Sequence, residues 1–342
     1  MKKHPTPIPG LQVFLLCAFL LLGAELARGE SPLPRLAVEG NQFVNTDGEA
    51  IVLRGLSFAD PASLTERGQW GRKYFEMARK WNANLVRIPV HPKWYREQGL
   101  EQYLKWLDES IEWATELEMY VIIDWHTIGN PRTELAFRDI YDTTMKETME
   151  FWRIISERYA GNTTAAFYEI WNEPTSQGGR LGPLSWEDHK AAMEPIIHLI
   201  QAHDTEVIPL IGGLDWAFDI SYVLENPIDA EGIAYVTHPY PQKRPEPWGP
   251  AWDQAFGNVA KKYPVVATEF GFMSAQERGA HVPVISDERF GHAVIDYFER
   301  HGISWTAWVF DDDWTPNLLL DYNYTPSRQG ALFKKKLKEL NP

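Results

Sequence analysis

The chain has 342 residues, of which 44% are hydrophobic and 23% charged, and a formal net charge of −14. This length suits one large α/β domain, and the apolar content is ample for its core, which excludes a disordered chain. The acidic balance excludes nucleic acid and anionic membrane surfaces, which are bound through clustered Lys and Arg, and leaves neutral ligands open.

The first element in the chain is an export signal. Lys2, Lys3 and His4 form a basic start, residues 11–22 an apolar run broken only by Gln12, and Ala27 and Gly29 a small-residue cleavage site. The apolar run is too short to span a bilayer. The expectation is a signal peptide over residues 1–29, a secreted or periplasmic protein, no membrane contact after cleavage, and one catalytic domain over residues 30–342. The single cysteine, Cys17, lies within the signal, so the exported domain is expected to hold no disulfide and no reactive thiol.

A small β-hairpin follows, with strands at 36–38 and 42–44 around the turn Glu39-Gly40-Asn41. Strands are then predicted at 51–58, 85–89, 120–126, 166–172, 206–212, 233–240, 265–270 and 304–308. Helical patterns occupy 100–117, 142–159, 186–203, 287–301 and 328–340. Strands with near-continuous apolar cores, alternating with helices, imply a parallel sheet covered by helices. The predicted fold is α/β, a single (β/α)8 TIM barrel with a short N-terminal β-hairpin. An open doubly wound sheet is the alternative, but no Gly-rich phosphate loop follows the first strand. The Pro-rich stretch at 239–250 follows a strand and reads as a barrel loop, and no linker to a further module stands out.

Active sites of α/β barrels lie at the C-terminal ends of the strands. The polar residues expected there are Arg87, His126, Asn172 and Glu173, His238 and Tyr240, and Glu269, together with Trp308. Glu173 and Glu269 are 96 residues apart, which places them on strands four and seven, across the mouth. Two carboxyls on either side of a bond are what glycoside hydrolysis needs. Each supporting side chain also has a bland reading: Arg87 as a buried ion-pair partner, His126 and His238 as satisfied core histidines, Tyr240 as a barrel cap, Trp308 as packing.

The 15 Trp residues exceed what a core usually demands and suit stacking on the apolar faces of sugar rings. Trp125, Trp216, Trp248, Trp252 and Trp314 are candidates for outer subsites, of which one or two are expected to stack sugars, each singly being more readily explained by packing than by binding. No metal site is expected: Asp311-Asp312-Asp313 cannot converge on one ion without a tight loop, and reads as a solvated loop that touches substrate hydroxyls. There is neither a His-Glu-x-x-His nor a Gly-x-Ser-x-Gly motif. His91 has no evident partner, and the sequons at Asn162 and Asn323 matter only in a host that glycosylates.

The segment Phe-Tyr-Glu-Ile-Trp-Asn-Glu-Pro at 167–174, with Ala-Thr-Glu-Phe-Gly at 267–271, resembles glycoside hydrolase family 5, the cellulase family within the clan of retaining (β/α)8 glycosidases. The likeness runs from the hairpin to the last helix. It includes Leu53-Arg-Gly55, taken as the end of strand one, and Gly212-Gly-Leu-Asp-Trp216 after strand five. Asn-Glu-Pro is common to the clan; its combination with Arg87, Asp124-Trp-His126, His238-Pro-Tyr240 and Trp308 narrows the match to the family. The resemblance implies Glu269 as nucleophile, Glu173 as acid/base and Asn172 as the partner of the sugar 2-OH. It further implies Arg87 and Tyr240 as donors to Glu269, His126 and His238 as positioners, and Trp308 as the sugar platform, with no cofactor. The expected activity is that of a monomeric retaining endo-β-1,4-glucanase acting on a β-linked polysaccharide or oligosaccharide. The same machinery acting on mannan or glucomannan, xyloglucan or β-1,3-glucan remains open, as does a non-catalytic carbohydrate-binding barrel.

Overall fold

Runs such as Leu85-Val-Arg-Ile-Pro-Val and Tyr120-Val-Ile-Ile-Asp-Trp combine β-branched residues with apolar character on both faces, and every residue in them is buried. A strand buried on both faces pairs in parallel beneath covering helices. In the computed structural model, which describes residues 33–341, eight such strands close into a barrel. In chain order they are β1 (Arg54–Ser57), β2 (Leu85–Val90), β3 (Tyr120–Trp125), β4 (Phe167–Glu169), β5 (Ile208–Gly212), β6 (Ala234–Val236), β7 (Val265–Ala267) and β8 (Ser304–Ala307). Each pairs in parallel with the next, and β8 closes onto β1 in the register Trp305↔Arg54. All eight predicted strands are present.

The main covering helices are α1 (Arg72–Lys80), α2 (Leu100–Glu116), α3 (Met145–Tyr159), α4 (Trp186–His203), α5 (Glu288–His301) and α6 (Arg328–Leu340). Their starts follow from side-chain caps. Thr144 caps α3, Ser185 and Asp188 form a capping box on α4, and Asp287 and Ser327 cap α5 and α6. Helix α1 was not expected from the sequence, nor were the short helices Pro61–Glu66 and Pro92–Gln98, each begun by a proline. Between β6 and β7 the chain makes no long helix, but a 3-10 turn at Pro241–Lys243, the short helix Trp248–Trp252 and a π turn.

The hairpin Ala37–Glu39 with Gln42–Val44 is as expected, and Ala50–Ile51 adds a third strand. Phe43 packs edge-on against Phe167, 5.1 Å between ring centroids, and with Leu36 and Leu53 closes the base of the barrel. Leu53-Arg-Gly55 therefore begins β1 at the base and does not end it at the mouth. There Arg54 pairs with Glu299 at 2.6 Å. At the mouth, Glu173–Pro174 runs parallel to Ile128–Asn130 in a small second sheet, with Glu173 opposite Ile128. This ladder fixes the Glu173 backbone.

Six of the eight predicted strands overran the observed ones at their C-terminal ends. The span 233–240 pairs regularly only over Ala234–Val236, because the chain then leaves its neighbour to bend over the mouth, where His238 N–H donates to Ala217. The expected signal segment lies outside the described residues. Among those described, no helix is long and apolar enough to cross a membrane.

Gly55 shows how tightly β1 lies on β2: a Cβ built there would sit 1.6 Å from the Leu85 carbonyl oxygen. That obstacle is backbone and cannot swing away. Gly55→Ala is expected to lower stability by about 3 kcal/mol or more, the upper range for point changes. Urea unfolding measures it, and an unchanged midpoint would contradict the close approach.

Candidate active site

The site is built outward from Arg87 on β2, a fully buried guanidinium. A buried charge is costly unless paired and hydrogen-bonded, and here every arm of the fork has a partner. Nε and Nη2 donate to the two oxygens of Glu169, at 2.7 and 3.0 Å. Nη1 donates to Glu269 at 2.9 Å and to the Ser57 hydroxyl at 3.3 Å. Nη2 also reaches Asn172 Oδ1 at 2.6 Å and Asp124 at 3.0 Å. One planar donor set thus ties together residues from β1, β3, β4 and the end of β7.

Around it the two predicted carboxyls converge. Tyr240 donates to Glu269 Oε2 at 2.9 Å. His238 Nδ1 lies 3.0 Å from Glu173 Oε1 and 3.9 Å from Glu269 Oε2. On its other side, His238 Nε2 is 2.8 Å from the Thr268 hydroxyl, which donates to Glu169 at 3.0 Å. An oxygen of Glu173, one of Glu269 and a nitrogen of His238 all fall within 4.8 Å of one another. Such a convergence has the shape of a metal site. Its chemistry is otherwise: Glu269 already accepts a guanidinium and a phenol, and the imidazole between the carboxyls is itself driven toward a cation.

Burial alone would push His238 down, but Glu269, Glu169 and Glu173 surround it and raise it to about 9. Burial pushes Glu169 up as well, yet Arg87 and His238 hold it below the usual carboxylate value. Burial raises Glu269, seconded by Glu173 and Glu169 and opposed by His238 and Arg87. His126 is held well below its ordinary value by burial and by the neighbouring His91, Arg87 and His238. It is a neutral imidazole, with Nδ1 fixed 2.6 Å from Asp124. The Asn172 Nδ2 is buried and has no partner among the described residues, a donor left over for a ligand.

A cleft of about 780 Å³ crosses the mouth, and His126, Asn172, Glu173, Tyr240, Glu269 and Trp308 all line it, with Trp216 further out. Arg87 and His238 stand behind this lining. The Trp308 ring lies parallel to His126, 5.5 Å between centroids and 1° apart in plane. Trp314 stacks on Trp308 and continues to Trp94, each step 6.0 Å.

Three of the outer tryptophans are elsewhere. Trp125 is fully buried, stacked on Phe151 with its indole N–H on Thr148. It points away from the mouth because side chains alternate along a strand, and its neighbour His126 takes the cleft. Trp248 and Trp252 are buried against each other and against Phe290, where they fill the space left without a long helix.

The acidic triplet is not a solvated loop at its first residue. Asp311 is fully buried and takes both arms of Arg67, at 2.8 and 2.6 Å, plus the Tyr322 hydroxyl. His91 does have a partner: its Nδ1 and backbone N–H both meet buried Asp60, at 2.9 and 2.8 Å.

Sequence reasoning passed over Glu169, Thr268 and Trp94, and also Tyr141 and Lys243, which line the cleft. Glu169 had a signal, since a carboxylate inside an otherwise apolar buried strand demands a buried cation. The others are ordinary residues, Thr268 just past a strand and Tyr141, Trp94 and Lys243 in short helical turns, and nothing local sets them apart.

Residues 44–313 match the sequence profile described as Cellulase (glycosyl hydrolase family 5). Among solved structures, the β-glucanase SdGluc5_26A from Saccharophagus degradans, in complex with cellotetraose, is 42% identical. The match covers 91% of this chain and 94% of that one, with a TM-score of 0.89. The catalytic domain of Thermobifida fusca endoglucanase Cel5A shares the fold, with TM-score 0.73 at 23% identity over 89% of this chain and 97% of that one. Endoglucanase A of Butyrivibrio fibrisolvens is 27% identical over 257 residues, 72% of this chain and 54% of its own length. Endoglucanase E-5 of Thermobifida fusca is 26% identical over 319 residues, 88% of this chain and 58% of its own length. The chain thus spans little more than half the length of these curated relatives.

The raised His238 links the site to stability. Its folded value of about 9 exceeds the ordinary 6.5, so its contribution is complete below pH 6.5 and drains away as pH rises through 9. Comparing urea unfolding of the wild type and His238→Gln between pH 6 and 10 should show an excess loss in the wild type of about 3 kcal/mol. Parallel profiles would mean that the imidazole is not charged in the fold.

Proposed function

The chain belongs to glycosyl hydrolase family 5, the cellulase family, and from that footing we propose that it is a retaining endo-β-1,4-glucanase acting through a covalent glycosyl-enzyme. The observation that carries this reading is the approach of Glu173 and Glu269 oxygens to within 4.8 Å. Retaining enzymes hold their carboxyls about 5–5.5 Å apart, whereas inverting ones leave room for a water at about 6.5–9.5 Å. Glucan as substrate is supported by the relative of similar length, a β-glucanase in complex with cellotetraose, and by relatives named endoglucanases. Endo action is supported by the two rings lining the cleft with the carboxyl pair, Trp308 and Trp216, and by Trp314 and Trp94 stacked on from Trp308. Export through the N-terminal segment belongs to the same proposal.

In the first step Glu269, held by Arg87 and Tyr240, attacks the anomeric carbon. The bond to the leaving oxygen breaks, and that oxygen takes the proton from Glu173. Glu269 becomes a neutral ester as Glu173 becomes a carboxylate. In the second step Glu173 takes a proton from water, the water oxygen attacks the anomeric carbon, and Glu269 departs as carboxylate. The pair carries one negative charge throughout, and it only changes owner. His238, 3.0 Å from one carboxyl and 3.9 Å from the other, balances it in both states. The spare Asn172 donor serves the sugar 2-OH, and Trp308 is the floor beneath the sugar being transferred. Trp308→Ala should cut turnover of polysaccharide about tenfold, as expected for a lost stacked ring that also sets the bond's position. Unchanged kinetics would remove Trp308 from the site.

Aryl cellobiosides with an acidic phenol separate the two carboxyls. Such a group leaves without protonation, so Glu173→Ala should form the glycosyl-enzyme normally and stall before hydrolysis. Azide, which needs no base, should restore turnover and give the β-glycosyl azide. Glu269→Ala should lose the first step altogether, and any azide rescue should give the α-azide. A β-azide from Glu269→Ala would reverse the roles, and full activity in either folded variant would remove the pair from the chemistry.

A further inference from the structure

Acidic as the chain is, one end of the cleft is cationic. The carboxylates lining the cleft are Glu173, Glu269 and Asp215, whereas Arg138, Lys243 and Arg244 line it as cations. The cations form one compact group. The Arg138 guanidinium lies 5.1 Å from the Phe137 centroid, Phe137 meets Trp216 edge-on at 4.9 Å, and the Lys243 ammonium lies 5.8 Å from the Trp216 ring. Arg244 and Lys243 share the Asp215 carboxylate, at 3.4 and 3.5 Å. Arg138 has no ion pair with any described residue and is exposed. Three positive charges therefore face one carboxylate here.

The turn that presents Trp216 is built at a cost. Asp215, Trp216 and Ala217 all have positive φ, 57°, 61° and 55°, in three consecutive residues with side chains. Such backbone persists where the surroundings over-determine it, and it clusters at ligand sites. Here Lys243 donates to the Asp215 carbonyl at 2.7 Å and holds the turn.

The group lies on the Glu173 side of the carboxyl pair, which the functional reading above makes the leaving-group side. Phe137 and Arg138 follow the hairpin that begins at Ile128, and Ile128 pairs with Glu173, the proposed proton donor. Burial pushes the Lys243 ammonium down, opposed by the nearby Asp215 and Glu173 carboxyls. A glucan crossing the cleft places its reducing-end portion there.

Resting on the functional reading above, we infer that Trp216, Arg138, Lys243 and Arg244 form a leaving-group subsite for carboxylated sugar. The ring holds the pyranose face, and the guanidinium forks take the carboxylate, the anion they fit best. Two kinds of chain supply such a group: one oxidised at its reducing end to an aldonic acid, and one carrying a carboxyl at C6.

The test reads binding, not turnover. Calorimetry with the full chain carrying Glu269→Gln compares cellotetraose, cellotetraonic acid and a C6-carboxylated cello-oligosaccharide of the same length. At low salt at least one acid should bind about fivefold more tightly than cellotetraose, the scale of two partly exposed ion pairs. The preference should fall toward unity in 0.5 M salt and in the variant Arg138→Gln/Arg244→Gln. Preference for the aldonic acid alone places the carboxylate at the chain end; preference for the C6 acid alone places it within the chain. Equal binding of all three, or a preference that survives the double substitution, overturns the inference. Wild-type cleavage of neutral cellotetraose is followed alongside, and its absence would count against the glucanase reading and not against this subsite.

Discussion

The structure turns on one buried cation. Arg87 sits inside the barrel mouth with no exposure to water, a position tolerable only while carboxylates surround it. Those carboxylates come from separate strands, Asp124 from β3, Glu169 from β4 and Glu269 from just past β7, and each is itself buried and needs the cation. Barrel closure and site assembly are therefore one event. A strand out of register would leave several charges unpaired at once, which is a far stronger penalty than a lost apolar contact. Glu169 neutralises the fork from behind and Glu269 takes the arm that faces the cleft, so the reactive carboxylate is positioned by the same group that stabilises the fold.

A second layer sets the charge state. His238 is wedged between Glu173, Glu269 and Glu169, with Thr268 fixing its far nitrogen. Its imidazolium balances the single negative charge that the two carboxyls share. His126 is built in the opposite sense. Desolvated, beside other cations and hydrogen-bonded through Nδ1 to Asp124, it stays neutral, with its other nitrogen free of protein partners among the described residues. The two histidines, similar in sequence context at strand ends, thus present a charge in one case and a neutral polar face in the other. Environment alone separates them.

Much of this was legible in the sequence, and the reasons are physical. Eight strands showed through because parallel strands buried on both faces are written as unbroken apolar runs, and a polar residue at the end of such a run stands out. Arg87, His126, Asn172, Glu173, His238, Tyr240, Glu269 and Trp308 were all found this way, and all meet at one end of the barrel. Strand ends were overextended, because a chain that bends over the mouth keeps its composition while losing its ladder. Trp125 stayed a candidate beside its packing reading because one residue of register separates a cleft side chain from a core one. Trp248 and Trp252 stayed candidates in the same way, because surplus Trp in a loop reads the same whether it stacks a sugar or fills a gap. Asp311 and His91 gained partners, Arg67 and Asp60, that lie far away in sequence, and no local pattern announces such pairs. The cationic group around Trp216 was invisible for the same reason: its members come from different loops.

The central claim is that Glu269, anchored by Arg87 and Tyr240, forms a covalent bond to the sugar. It is tested most directly by incubating the protein with a 2-deoxy-2-fluoro cellobioside bearing a good leaving group, which slows hydrolysis of the intermediate more than its formation. Intact-mass and peptide mass spectrometry then locate the added sugar. One fluorocellobiosyl group on the peptide containing Glu269, absent from Glu269→Gln, is the predicted result. A label on the peptide containing Glu173, or inactivation-free binding with no label on any carboxylate, would contradict it.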